Sequence, residues 1–146
     1  MLLQEILAVK GSTVYTIDAQ ATLDEVVDTL VRHNCGSLVV CEAADRARGR
    51  LLGIITERDL LKAAAHARGA FGQLRVVDVM SQDVHVGSPS DTVEDTMGLM
   101  TRHRVRHLPI LHDDRLVGII SIGDVVKSQY DQLAFENHFL KSYINS

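Results

Sequence analysis

Two short stretches carry the residue types most capable of recognising a ligand: Thr56-Glu57-Arg58-Asp59 and Ser121-Ile122-Gly123-Asp124. A carboxylate accepts two hydrogen bonds and can grip both neighbouring hydroxyls of a ribose. A hydroxyl three residues earlier lies one helical turn away on the same face, within reach of a ribose or phosphate oxygen. The same spacing also serves a plainer purpose, with Thr56 and Ser121 capping helices and Asp59 and Asp124 interacting with the helix dipole. Arg106 and His107 add a phosphate-directed pair: a guanidinium clamps phosphate at two points, and an imidazole donates a hydrogen bond or, once protonated, a charge.

These residues recur because the chain repeats itself. Val14-Tyr15-Thr16-Ile17 returns seventy positions on as Val84-His85-Val86-Gly87, and Thr22-Leu23-Asp24-Glu25-Val26 as Thr92-Val93-Glu94-Asp95-Thr96. Gly53-Ile54-Ile55-Thr56-Glu57-Arg58-Asp59 returns as Gly118-Ile119-Ile120-Ser121-Ile122-Gly123-Asp124 at an offset of sixty-five, the first copy carrying five extra residues within the polar stretch Glu42 to Arg50. An insertion confined to a polar segment fits a surface hairpin. Each copy reads as strand, helix, strand, strand, helix. Thr22 and Thr92 are N-caps, and Leu23, Val26, Val27, Leu30 and Val31 form one helical face, as do Val93, Met97 and Met100. Leu38–Cys41 with Leu51–Ile55, and Leu108–Leu111 with Leu116–Ile120, read as hairpins, the second turning at His112-Asp113-Asp114-Arg115. One such unit cannot cover both faces of its small sheet, so the two should pack face to face.

The Gly-Ile-Ile-Thr-x-x-Asp pattern, the Leu108-Pro109-Ile110 strand and Val77-Asp78-Val79-Met80-Ser81 resemble tandem CBS (cystathionine-β-synthase-type) repeats, the pair called a Bateman module. The resemblance covers about Ile6 to Lys127. It implies an α+β fold of two βαββα repeats related by a pseudo-two-fold axis: repeat 1 over 1–68, a linker over 69–73, repeat 2 over 74–127 and a helical extension over 128–146. It further implies clefts that bind adenosine-containing ligands, with AMP expected first, then ATP, ADP or NAD(H). The function expected is that of a regulatory energy sensor rather than an enzyme, in a stand-alone homodimer.

For the ligand, the resemblance and the doubled context favour Thr56, Asp59, Ser121, Gly123 and Asp124 at the ribose and Arg106 and His107 at the phosphate. Lys10, Tyr15, Met80, His85 and Ile120 would wall the base pocket, although simple core packing explains such apolar positions equally well. The second copy reads as the better furnished, since Asn34-Cys35-Gly36-Ser37 stands in the first where Arg104-Val105-Arg106-His107 stands in the second.

The rest of the sequence narrows the alternatives. A formal charge of −4 and scattered arginines argue against nucleic acid as the main partner. There is no apolar run of membrane-spanning length and no basic n-region ahead of an apolar stretch, so a cytoplasmic setting is expected, with Cys35 and Cys41 reduced and buried. No Gly-x-Ser-x-Gly elbow or Walker loop suggests catalysis, and neither a catalytic residue, a cofactor nor a metal ligand is assigned. After Asp124 an apolar pattern continues through Tyr130, Leu133, Phe135, Phe139, Leu140, Tyr143 and Ile144. It reads as a surface for a second subunit, with Phe135, Phe139 and Leu140 at the interface, or for a client protein. A ligand-independent interaction module is therefore the competing reading.

Overall fold

A computed structural model describes residues 1–42 and 50–145, so the inserted stretch lies mostly outside the described residues. In chain order the elements are α1 (Leu3–Lys10), β1 (Thr16–Asp18), α2 (Leu23–His33), β2 (Ser37–Cys41), β3 (Gly53–Thr56), α3 (Glu57–Ala67), a 3-10 turn (Phe71–Gln73), α4 (Val76–Val79), α5 (Val93–His103), β4 (His107–His112), β5 (Arg115–Ser121) and α6 (Ile122–Asn145). The first unit forms a three-stranded sheet, β1 parallel to β2 and β2 antiparallel to β3. The second forms the antiparallel pair β4–β5, whose turn places Asp113 and Asp114 at φ 51° and 61°, the pair of positive values a tight type I′ turn demands.

The expected strand at Val84–Gly87 is absent apart from a single parallel bridge between Gly87 and Ile110. In the first unit the Val39 N–H donates to the Tyr15 carbonyl at 3.1 Å and extends the pairing. Seventy residues on, Val39 becomes Pro109, which has no N–H to give to His85. One imino acid thus shortens the second sheet.

The long helices begin as their caps dictate. Thr22 accepts from the Glu25 N–H while Glu25 returns to the Thr22 N–H at 2.8 Å, and Thr92 accepts from the Asp95 N–H at 3.1 Å. Their C-caps, Asn34 and Arg104, are both left-handed. The apolar face of α2 is narrower than its periodicity implied: Leu23, Val26 and Leu30 are buried, whereas Val31 is 75% exposed. Cys41 is buried and Cys35 half-buried, and among the described residues neither is in a disulfide.

Two cores result, and each leading helix crosses to the other unit. Leu3 and Ile6 of α1 join Val93, Met100, Leu108, Ile110, Ile120 and Val125. Val76 of α4 joins Leu23, Val26, Leu38, Val40 and Ile55. The crossings are pinned by backbone bonds from Leu3 N–H to the Asp91 carbonyl and from Leu23 N–H to the Leu74 carbonyl, both 2.9 Å. Unfilled, either exchange would leave its core open on one side, so neither unit is complete alone.

Candidate functional site

A cleft of about 820 Å³ lies between the two units, within the usual size range for a small-molecule site. Thr56 and Asp59 at the start of α3 form one wall. Ser81, Asp83 and His85, from the segment after α4, form a second. Arg104, Arg106 and His107, between α5 and β4, form the third.

The sharp β3–α3 junction aims Thr56 and Asp59. The Thr56 N–H donates to Asp59 Oδ2 at 3.0 Å and the Asp59 N–H donates to Thr56 Oγ1 at 3.4 Å. The capping role weighed for this pair is therefore present. It engages Oδ2, while Oδ1 receives one long contact, from the Ser81 hydroxyl at 3.4 Å. Among the described residues no ion pair is formed by Asp59.

The equivalent carboxylate fares differently. Asp124 Oδ2 accepts from the Ser121 N–H at 2.8 Å and from the Lys10 ammonium at 2.6 Å, and the same ammonium donates to the Ile119 carbonyl at 2.8 Å. Burial would raise the Asp124 carboxyl, but the Lys10 ammonium and the Ser121 N–H outweigh it and hold the group below its ordinary value. The residue seventy positions after Lys10 is Met80, which cannot pair with a carboxylate. One substitution between repeats thus leaves Asp59 open and Asp124 occupied.

Of the residues singled out in the sequence, this cleft gathers Thr56, Asp59, His85, Arg106 and His107. Ser121, Gly123 and Asp124, at the first turn of α6, and Lys10 of α1, which reaches Asp124, are not among its lining residues, although Ser121 pairs with His107 across β4 and β5. Ile120 is fully buried in the second core and Met80 is half-buried against the first, and neither is among the residues lining this cleft. Tyr15 stacks on His33 with centroids 3.8 Å apart, the counterpart of the His85–His103 stack at 4.2 Å. Gly53 and Gly118 give room to protein: a Cβ at Gly53 would meet the Ser81 carbonyl at 2.7 Å, and one at Gly118 would meet Leu7 at 2.6 Å. Arg106 and His107, the residues that made the second copy read as the better furnished, line this cleft together with the first copy's Thr56 and Asp59. Arg58 and Lys62, which sequence reasoning passed over, also line the cleft. Their signal was one helical turn of spacing along the exposed face of α3.

His103 and His107 are four residues apart, but α5 ends at His103 and His107 opens β4. They do not share a helical face, and among the described residues no group of three or more potential metal ligands assembles.

His107 sits where the units meet, and a Cβ added to Gly36 would lie 3.5 Å from both its Nε2 and Glu57 Oε1. Burial holds its pKa below the ordinary 6.5, and neighbouring Lys10 and Arg106 push the same way against Glu57 and Asp124. The unfolded chain therefore binds more protons than the folded one just below pH 6.5, and stability falls as pH drops through that range. His107→Gln flattens this part of the profile; melting temperatures at about pH 5.5 and 7.5 measure it.

The CBS domain pattern matches residues 9–66 and again residues 76–131. The chain belongs to the CBS domain family. Among relatives of this CBS pair, the CBS domain-containing protein YhcV of Bacillus subtilis is 35% identical over 116 residues, covering 80% of this chain and 79% of YhcV. The crystal structure of the CBS-domain protein ATU1752 of Agrobacterium tumefaciens superimposes with a TM-score of 0.83 at 39% identity, covering 88% of this chain and 99% of that one. The CBS domain pair of protein MJ0100, solved in complex with 5′-methylthioadenosine and S-adenosyl-L-methionine, superimposes with a TM-score of 0.75 over 87% of this chain and 98% of that one. At 23% identity that likeness is one of fold. No described helix of this CBS protein is long and apolar enough to cross a membrane.

Proposed function

We propose that this CBS pair is a regulatory sensor that binds an adenine nucleotide, AMP foremost, in the cleft between Asp59 and Arg106. The observation that carries the reading is the asymmetry of the two carboxylates: Lys10 covers Asp124, while Asp59 has an oxygen turned to a cleft lined by guanidinium and imidazole groups. In this reading Asp59 accepts the ribose hydroxyls, Thr56 supports them, Arg106 and His107 hold phosphate, and His85 borders the entrance. The MJ0100 complex supports it by showing that a CBS pair of this fold takes up adenosine compounds. The cleft binds and releases without covalent chemistry, and the regulated property is the shape presented to a partner in the cytoplasm.

A ligand-independent interaction module is the second reading, favoured by the exposed apolar side chains of α6. Thermal shift separates the two. AMP at a hundred times its dissociation constant adds about 2.7 kcal/mol to stability, a rise of several degrees for a chain of this size. ATP, NADH and S-adenosylmethionine are tested beside it. Silence from all four at millimolar concentration contradicts the sensor reading and favours the module.

A further inference from the structure

Helix α6 runs on well past the second unit. Val125 is buried, and Ser128, Gln129 and Gln132 are half-buried against the body, but every side chain from Leu133 to Ile144 is exposed. A terminal stretch of about three turns without a core is marginal in water by itself. Its sequence holds a second pattern that the body does not use. Val126, Tyr130, Leu133, Asn137, Leu140 and Ile144 alternate at spacings of four and three, and the five apolar members are 55–78% exposed. This is the seam of a heptad repeat, with Val126, Leu133 and Leu140 at d and Tyr130, Asn137 and Ile144 at a.

We propose that α6 pairs with the α6 of a second copy of this chain in a parallel, in-register, two-stranded coiled coil. Three features select that occupant over an unrelated apolar partner. Leu133 and Leu140 at d with β-branched Ile144 at a follow the two-stranded preference, which Val126 at d and Tyr130 at a do not share. Asn137 at the central a position is satisfied by its own counterpart when two identical helices run parallel in register, and is left buried and unpaired if they slip. Glu136 falls at g and Lys141 at the e position five residues on, so a parallel pair sets each glutamate against the other copy's lysine, twice by symmetry. An antiparallel pair would set g against g and e against e, losing both attractions. Of the residues expected at a subunit interface, Leu140 lies on the seam. Phe135 and Phe139 continue the opposite line, that of Val125, Ser128 and Gln132.

This inference does not depend on nucleotide binding and is tested without ligand. Sedimentation velocity on the full chain between about 1 and 50 µM shows a dimer, and Leu133→Asp with Leu140→Asp weakens it at least about a hundred-fold by placing charge in the seam. Both residues are exposed, so an unchanged melting temperature at low concentration confirms an intact fold. Glu136→Lys weakens the dimer about three-fold or more, and adding Lys141→Glu restores it. Mild oxidation cross-links Ile144→Cys between copies but not Phe135→Cys, with the unaltered chain as control for Cys35 and Cys41. A monomer throughout, a dimer indifferent to the double aspartate variant, or a dimer in which Ile144→Cys stays uncross-linked overturns the proposal.

Discussion

Asp59→Ala binds AMP about ten- to hundred-fold more weakly than the unaltered chain, the effect of losing charge-assisted hydrogen bonds to ribose hydroxyls. Asp124→Ala leaves AMP affinity in this cleft nearly unchanged, because its carboxylate is already bound by the Lys10 ammonium at 2.6 Å. Asp59 also caps α3, so its removal costs about 1 kcal/mol of stability as well. Asp59→Asn separates the two roles: the amide oxygen still accepts the Thr56 N–H, but the charge is gone. Calorimetric titration reads the affinities and thermal unfolding the cap. Equal affinities in Asp59→Ala and the unaltered chain would return Asp59 to capping alone.

Arg106→Ala abolishes most of the preference for AMP over adenosine, a loss of about ten- to hundred-fold on AMP with little change on adenosine. Arg106 is exposed at the cleft wall, and its carbonyl accepts the Ile122 N–H at 2.8 Å, fixing the backbone from which the guanidinium reaches. Arg106→Lys recovers part of the preference, since an ammonium keeps the charge and loses the planar two-point contact. Competition titrations with both ligands measure the ratio. A wild-type ratio in Arg106→Ala would remove the phosphate role.

The elements were legible because their signals are local. Thr22, Thr56 and Thr92 announce helix starts through side-chain bonds to residues three ahead, and the alternating and helical periodicities bury Leu38, Ile55, Leu108 and Ile120 as expected. The failed strand at Val84–Gly87 turns on Pro109, twenty-odd residues away, whose missing N–H matters only once the strands are neighbours. The site was legible in its residue types and not in its pairing. Repeat arithmetic groups Arg106 with Asp124, since both belong to the second copy. The cleft between the units is instead lined by Arg106 together with the first copy's Asp59, and packing between repeats leaves no mark in either repeat. The contrast of Lys10 with Met80 was visible in the sequence, but its meaning depends on an ammonium folding back 114 positions in sequence onto Asp124.

Amide hydrogen exchange with and without saturating AMP tests the central claim most directly. The account predicts slowed exchange at three segments separated in sequence, 54–59, 81–85 and 104–107, all of which line the cleft. Binding accompanied by protection confined to 119–124, or no change at the three segments, would contradict it.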